Sequence, residues 1–187
     1  MSITKKIRVR FAPSPTGFLH VGGLRTALYN YLFARKNKGD FILRIEDTDV
    51  KRKVKGAVEN LIKTLKQVGL DYDEGPILKN NKLTEIGKCG PYIQSQRLDI
   101  YKKHIEELLK KDKAYYCFCT PEDLEKMRKE QMSRGAAPMY DERCRKLSKK
   151  DVKEKLKADT PYVVRLKIPE SGSIKFNDLI RGQVEFD

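Results

Sequence analysis

The stretch Ile7-Arg8-Val9-Arg10-Phe11-Ala12-Pro13-Ser14-Pro15-Thr16-Gly17-Phe18-Leu19-His20-Val21-Gly22-Gly23 changes character along its length. Ile7 to Ala12 reads as a short buried strand. Pro13-Ser14-Pro15-Thr16-Gly17 must break it, because proline fixes φ and brings no N–H to a ladder. A glycine-bearing loop follows at His20-Val21-Gly22-Gly23. After it Leu24, Leu28, Tyr31 and Leu32 recur at helical spacing, with Gly39 as the stop signal. Further out, Phe41 to Ile45 reads as a second strand and ends in the polar cluster Glu46-Asp47-Thr48-Asp49. Leu61, Ile62, Leu65 and Val68 then mark an amphipathic helix that stops at Gly69. Strand, loop, helix, strand and helix in that order predict an α/β fold with a parallel sheet. A ligand site in such a sheet lies beyond the carboxyl ends of the strands, where both 13–23 and 46–49 fall.

Residues 75–96 hold Gly75, Pro76, Gly87, Gly90 and Pro91 and read as irregular, with a domain junction near Gln96. This divides the chain into 1–96, half of a nucleotide-binding domain, and 97–187, an α+β module. In the second part Leu98, Tyr101, Ile105 and Leu108 make one face of a long helix, and Ala114 to Cys119 reads as a strand. Thr120-Pro121-Glu122-Asp123 is a helix start, with a capping hydroxyl, proline in the first turn and acids at the positive dipole end. Tyr162 to Ile168 alternates as a half-buried strand. The chain stops at Phe186-Asp187 within another strand-like piece, which predicts a longer parent protein.

Of the 187 residues, 39% are hydrophobic and 35% charged, which excludes a wholly disordered chain and suits a soluble globular one. No apolar run reaches membrane-spanning length, and the charged start Met1 to Lys6 is not a signal peptide, so a cytoplasmic location without membrane association is expected. Lysine and arginine outnumber acids 40 to 26, a net charge of +14. The excess is spread over both halves, so any surface for a polyanion is folded and shared rather than a tail.

On spacing alone, His20-Val21-Gly22-Gly23 at a strand-to-helix crossing can be a phosphate cradle or a turn that packs a helix on a sheet. As a cradle it would offer helix N–H groups, with Thr16 and His20 donating to developing charge. No Walker-type lysine and no GxGxxG follow, which weakens kinase and dinucleotide readings. Cys117, Cys119 and Cys144 flank a helix, with Tyr140 four residues before the last. They suit either a closed zinc shell or simple burial, and a reducing compartment disfavours disulfides. Cys89 lies in another segment.

Taken together, Arg10-Phe11-Ala12-Pro13-Ser14-Pro15-Thr16-Gly17, His20-Val21-Gly22-Gly23 and Arg44-Ile45-Glu46-Asp47-Thr48-Asp49 resemble the class I glutamyl-tRNA synthetases. The resemblance runs on through Tyr72-Asp73-Glu74-Gly75-Pro76, Gly90-Pro91-Tyr92 and Gln94-Ser95-Gln96-Arg97. It implies the first half of a Rossmann-type parallel sheet, with 97–187 as an inserted acceptor-stem-binding module. Position by position it implies Arg10 on a glutamate carboxylate, Ala12 and Ser14 lining the same pocket, and Glu46 on the ammonium group. Thr16, His20, Gly22 and Gly23 would hold ATP, with Thr16, His20 and Gly23 serving catalysis; Arg52 would touch the tRNA 3′ strand. Some bacterial members hold zinc through a similar Cys-x-Cys…Tyr-x3-Cys set, here Cys117, Cys119, Tyr140 and Cys144. Others use a histidine two positions after the last cysteine, where this chain has Lys146.

The implied partners are L-glutamate, ATP with Mg2+, and tRNA(Glu), acting on a monomer that carries Zn2+ as a structural ion. Lys146-Leu147-Ser148-Lys149 imitates the family's Lys-Met-Ser-Lys loop, but Ser148 followed by Asp151 reads as a helix cap. Without the true loop, this polypeptide alone is expected to make little glutamyl-adenylate. The glutaminyl relatives carry different residues in the first and second motifs, which favours glutamate. Two rival readings are a shorter paralogue that glutamylates a modified tRNA base and a non-catalytic, zinc-containing RNA-binding module. The synthetase reading requires that Arg10, His20 and Glu46 converge at one strand-end cleft.

Overall fold

A computed structural model describes residues 6–169 and 171–186. The first five residues, part of the segment weighed as a signal peptide, and the terminal Asp187 lie outside the described residues. The elements are β1 (Arg8–Phe11), α1 (Val21–Lys36), β2 (Asp40–Leu43), α2 (Ala57–Gln67), β3 (Gly75–Lys79), β4 (Lys82–Ile86), α3 (Leu98–Lys110), β5 (Ala114–Cys117), α4 (Pro121–Ser133), α5 (Lys149–Lys157), β6 (Val163–Leu166), β7 (Ile174–Asp178) and β8 (Gly182–Phe186). They fall into two compact units, Met1–Tyr101 and Lys102–Asp187, divided inside α3.

In the first unit β1 and β2 pair in parallel, Arg8 opposite Asp40 and Phe11 opposite Leu43. The other edge of β2 is also used, through parallel bridges from Ile42 to Glu74 and from Ile45 to Ile93. Side chains from 41 to 47 alternate strictly: Phe41, Leu43, Ile45 and Asp47 are buried, while Ile42, Arg44 and Glu46 are half-buried. That period of two drives one face of the sheet into the core. There Phe11, Phe41, Leu43 and Ile45 meet Ala27 and Ala34 of α1 and Leu61, Ile62 and Leu65 of α2. Gly39 makes the crossover tight enough, since a Cβ there would lie 2.5 Å from the Ile7 carbonyl oxygen. That same oxygen accepts the Asp40 N–H at 2.8 Å and starts the ladder.

Residues 75–86 are not irregular as the glycines and prolines suggested, whereas 87–93 carry no regular element beyond a single bridge at Ile93. β3 and β4 form an antiparallel hairpin in which Lys79 faces Lys82. Its turn is Asn80-Asn81, both at positive φ (51° and 58°). Such a two-residue turn matches the twist of the strands it joins, and asparagine tolerates it.

In the second unit β5 pairs antiparallel with β6, Ala114 opposite Leu166 and Cys117 opposite Val163. β7 and β8 form a separate hairpin. α4 opens with a capping box, Thr120 Oγ accepting the Asp123 N–H while the Asp123 carboxylate accepts the Thr120 N–H. Ser148 and Asp151 cap α5 in the same way. The face of α3 is only partly covered: Leu98 is 68% exposed, Tyr101 and Leu108 are half-buried, and none of the helix is fully buried. Among the described residues no helix is long and apolar enough to cross a membrane.

Candidate active site and metal centre

Beyond the carboxyl ends of β1 and β2 the two motif loops run side by side. Arg44 N–H donates to the Phe11 carbonyl at 3.0 Å, Glu46 N–H to Pro13 at 2.9 Å and Val54 N–H to Pro15 at 2.9 Å. The prolines that end the ladder on one side are therefore its acceptors on the other. Register places Arg10 beside Ile42, on the sheet face turned away from the helical core, and strand alternation carries that face on through Arg44 and Glu46.

Of the three arginines on β1 and just past the end of β2, two are compensated. Arg8 Nη2 donates to Glu74 Oε1 at 2.7 Å, and Arg44 Nε donates to Glu46 Oε1 at 2.6 Å. Arg10 is exposed and has no ion pair or hydrogen bond among the described residues. Ala12, half-buried, and Ser14, exposed, follow it along the loop. An uncompensated guanidinium and a carboxylate on one face suit a zwitterion whose acidic end needs a planar cation. Glu46 is held by Arg44, a residue the motif reading did not single out.

His20 is the N-cap of α1, and its Nδ1 accepts the Gly22 N–H at 3.1 Å. One of the donors expected to be free for phosphate is thus taken by the imidazole. In the neutral ring the proton then sits on Nε2, leaving that edge as a donor. A Cβ at 22 would press on the ring, 3.0 Å from His20 Cε1, so any larger residue there would make the imidazole shift. Ser14, His20 and Gly23 line a cavity of about 230 Å³, together with Phe11 and with Ala57 and Leu61 of α2. Thr16, half-buried, and Gly22 lie on the same loop but do not line it; nor do Arg10, Ala12 and Glu46. The cavity is below the ~300–1,000 Å³ usual for small-ligand sites. Larger hollows, about 540 Å³ between α2 and the β3–β4 hairpin and about 760 Å³ beside Tyr140, hold none of these residues.

Asp47 stands at a core position, 6% exposed, in line with Phe41, Leu43 and Ile45. Burial alone would raise its pKa, but the Ser95 N–H at 2.9 Å, the Ser95 hydroxyl at 2.8 Å and the nearby Lys53 outweigh it, and the pKa is lowered. The carboxylate thereby latches the 93–97 segment to the end of β2. The signal was available in the sequence: a carboxylate in phase with three core residues. Arg52 lies further along the same loop, its Nε donating to Asp49 Oδ2 at 2.6 Å while its side chain stays 75% exposed.

In the second unit, the Sγ atoms of Cys117, Cys119 and Cys144 all lie within 4.8 Å of one another. The Tyr140 hydroxyl is 3.2 Å from Cys117 Sγ and 3.5 Å from Cys119 Sγ, and it accepts the Cys144 N–H at 3.3 Å. Ligands 2.3 Å from a tetrahedral zinc stand about 3.8 Å apart, so three thiols and a phenol at these separations fit a closed structural site. Burial opposes ionisation of Cys117, yet hydrogen bonds from Tyr140 and Arg165 lower its pKa to about 7. Cys119 is pushed up to about 11, by burial and by its thiol neighbours. Cys89, exposed and 3.3 Å from Arg8 Nη1, belongs to the first unit.

The family model described as tRNA synthetases class I (E and Q), catalytic domain, matches residues 6–187. This chain belongs to that family. Among synthetases of the family, the glutamate–tRNA ligase of Clostridioides difficile strain 630 is 55% identical over 182 residues, 97% of this chain and 37% of that protein. The glutamate–tRNA ligase of Finegoldia magna is 54% identical over 185 residues, 97% of this chain and 38% of that protein. A crystal structure of a glutamate tRNA ligase from Elizabethkingia meningosepticum, in complex with its amino acid, superposes with a TM-score of 0.85 at 46% identity, covering 97% of this chain and 36% of that one. This chain therefore has the α/β fold of those ligases and spans a little over a third of their length.

Proposed function

We propose that this chain is the part of a glutamate–tRNA ligase that binds the amino acid, begins the ATP site and carries the acceptor-end module. The uncompensated Arg10, on the same sheet face as Glu46, carries the reading. A glutamate has a carboxylate to spare, and a guanidinium with no competing partner is free to take it bidentately. Ser14 adds a hydroxyl and Ala12 a small wall. Glu46 accepts from the ammonium group while Arg44 keeps its carboxylate in place. His20, its Nδ1 engaged by Gly22, presents Nε2–H toward the phosphates of ATP, with Thr16 and the Gly22-Gly23 backbone completing the loop.

The glutamate α-carboxylate oxygen then forms a bond to the α-phosphorus of ATP as the bond to pyrophosphate breaks. A terminal ribose hydroxyl of tRNA(Glu) later attacks the carbonyl and displaces AMP. Such chemistry asks for positioning and charge stabilisation rather than a covalent nucleophile. Mg2+ accompanies ATP and neutralises its phosphates. Cys117, Cys119, Tyr140 and Cys144 would hold zinc as a structural ion, with no open position for chemistry. Arg52, with its exposed charge, serves the tRNA 3′ strand.

In the ligase that contains this chain, Arg10→Ala should weaken glutamate about 100-fold in KM, about the loss of two hydrogen bonds to a charged group. ATP binding should be unchanged. Glutamate-dependent ATP–pyrophosphate exchange measures both, and wild-type kinetics for Arg10→Ala would refute the assignment.

A further inference from the structure

The thiol cluster has a cation against it. In the β5–β6 ribbon Arg165 stands opposite Tyr115, and Val163 opposite Cys117, so alternation puts Arg165 on the face that carries the cluster. Its guanidinium carbon lies 4.0 Å from the centre of the Tyr140 ring. The neighbouring Cys117 thiol is the main cause raising the Arg165 pKa. Its Nε is buried without a hydrogen-bond partner, and among the described residues no carboxylate forms an ion pair with it. A half-buried guanidinium whose shielded Nε has no partner is costly unless negative charge stands beside it. A divalent ion held by three thiolates supplies that charge, because the thiolates outnumber its two positive charges.

We infer that Arg165 is the counter-ion of the metal centre: a fixed cation that offsets the excess negative charge of the three-thiolate site and holds the Tyr140 ring where its oxygen reaches the metal. The inference rests on the zinc reading above. The planar guanidinium suits both tasks, stacking flat on the ring while its edge meets the thiol; an ammonium keeps only the charge. Residues behind a metal's ligands fix ligand orientation and tune affinity, here from a strand far along the chain from every ligand.

Zinc competition against a chromophoric chelator, on the whole 187-residue chain, tests it. The wild-type chain should take up zinc, Arg165→Met should bind about 10–100-fold more weakly, and Arg165→Lys should fall between. The cobalt(II) absorption spectrum of Arg165→Met should move toward that of Tyr140→Phe, a change that loss of packing alone would not give. Arg165→Met binding as tightly as wild type, or Arg165→Lys as weakly as Arg165→Met, overturns the inference. If Arg165→Met does not fold with saturating zinc, Arg165→Lys decides: binding near wild type supports the counter-ion and lost binding overturns it. A wild-type chain that takes up no zinc fails the metal reading itself, and the counter-ion falls with it.

Discussion

The two units fill their centres with different chemistry. In the first, Phe41, Leu43, Ile45, Leu61, Ile62 and Leu65 form one apolar cluster against a parallel strand pair. In the second, the buried cluster is Tyr115, Cys117 and Cys144, with Cys119, Tyr140 and Leu147 packed on it. The helices of the second unit add little, since α4 buries Met127 and α5 buries nothing. A unit that buries so few of its apolar side chains gains little from hydrophobic transfer, and a metal staple is the usual substitute. One unit is held by hydrophobic transfer; the other, on the zinc reading proposed above, is held by its thiols. The largest effect should come from breaking that contrast. Zinc removal, by chelation or by Cys144→Ser, should cost the second unit its amide protection while leaving the first unit protected. Structural zinc contributes on the order of 10 kcal/mol in small modules, more than this thin core supplies. Hydrogen exchange read unit by unit decides it: equal loss in both, or none in either, contradicts the contrast.

The reverse test is next in size. Phe41 is fully buried, with Tyr31 edge-on at 5.9 Å. Phe41→Ala should destabilise the first unit by about 3–5 kcal/mol in denaturant and leave the zinc affinity of the second unchanged. A weaker zinc site in that variant would show that the units are energetically one.

This difference also explains what could be read from the sequence. Phe41 to Ile45 and the spacing of Leu61, Ile62 and Leu65 announce their elements because burial imposes a period, and the first unit is built from burial. The cysteine spacing announced the second cluster through ligand chemistry instead. The hairpin at 75–86 escaped because Gly75, Pro76 and Asn80-Asn81 were read as punctuation. Yet two asparagines between Ile77-Leu78 and Leu83 are the signature of a tight hairpin turn. Arg165 was not legible, because its role depends on which strand lies beside which; Arg44 was legible but passed over, since it stands two residues before Glu46 and so shares its face.

Asp47 sharpens the contrast within the first unit, as a charge in an otherwise apolar stripe. Asp47→Asn keeps the shape but weakens the bonds to Ser95, and should cost about 1–3 kcal/mol. Because its folded pKa lies below the ordinary 3.8, the carboxylate stabilises the fold above that value. This contribution fades as pH falls from about 5 through the folded pKa. The stability difference between wild type and Asp47→Asn should therefore shrink on acidification. A difference that is flat or grows from pH 6 to pH 3 would mean that Ser95 is not held by the ionised form.

The smallest effect tests whether Lys146-Leu147-Ser148-Lys149 in the second unit does anything for ATP. Ser148 Oγ accepts the Asp151 N–H at 3.1 Å and donates to Asp151 Oδ2 at 2.7 Å, so both of its roles are spent on capping α5. A hydroxyl engaged in this way has nothing left for a phosphate, whatever its flanking lysines suggest. Ser148→Ala should cost about 1 kcal/mol, seen as faster exchange in the first turn of α5, with pyrophosphate exchange by the parent ligase unchanged. A drop in kcat of tenfold or more, with α5 still protected, would return the tetrapeptide to the active site. It would also mean that the second unit takes part in the chemistry and not only in the tRNA binding proposed for it.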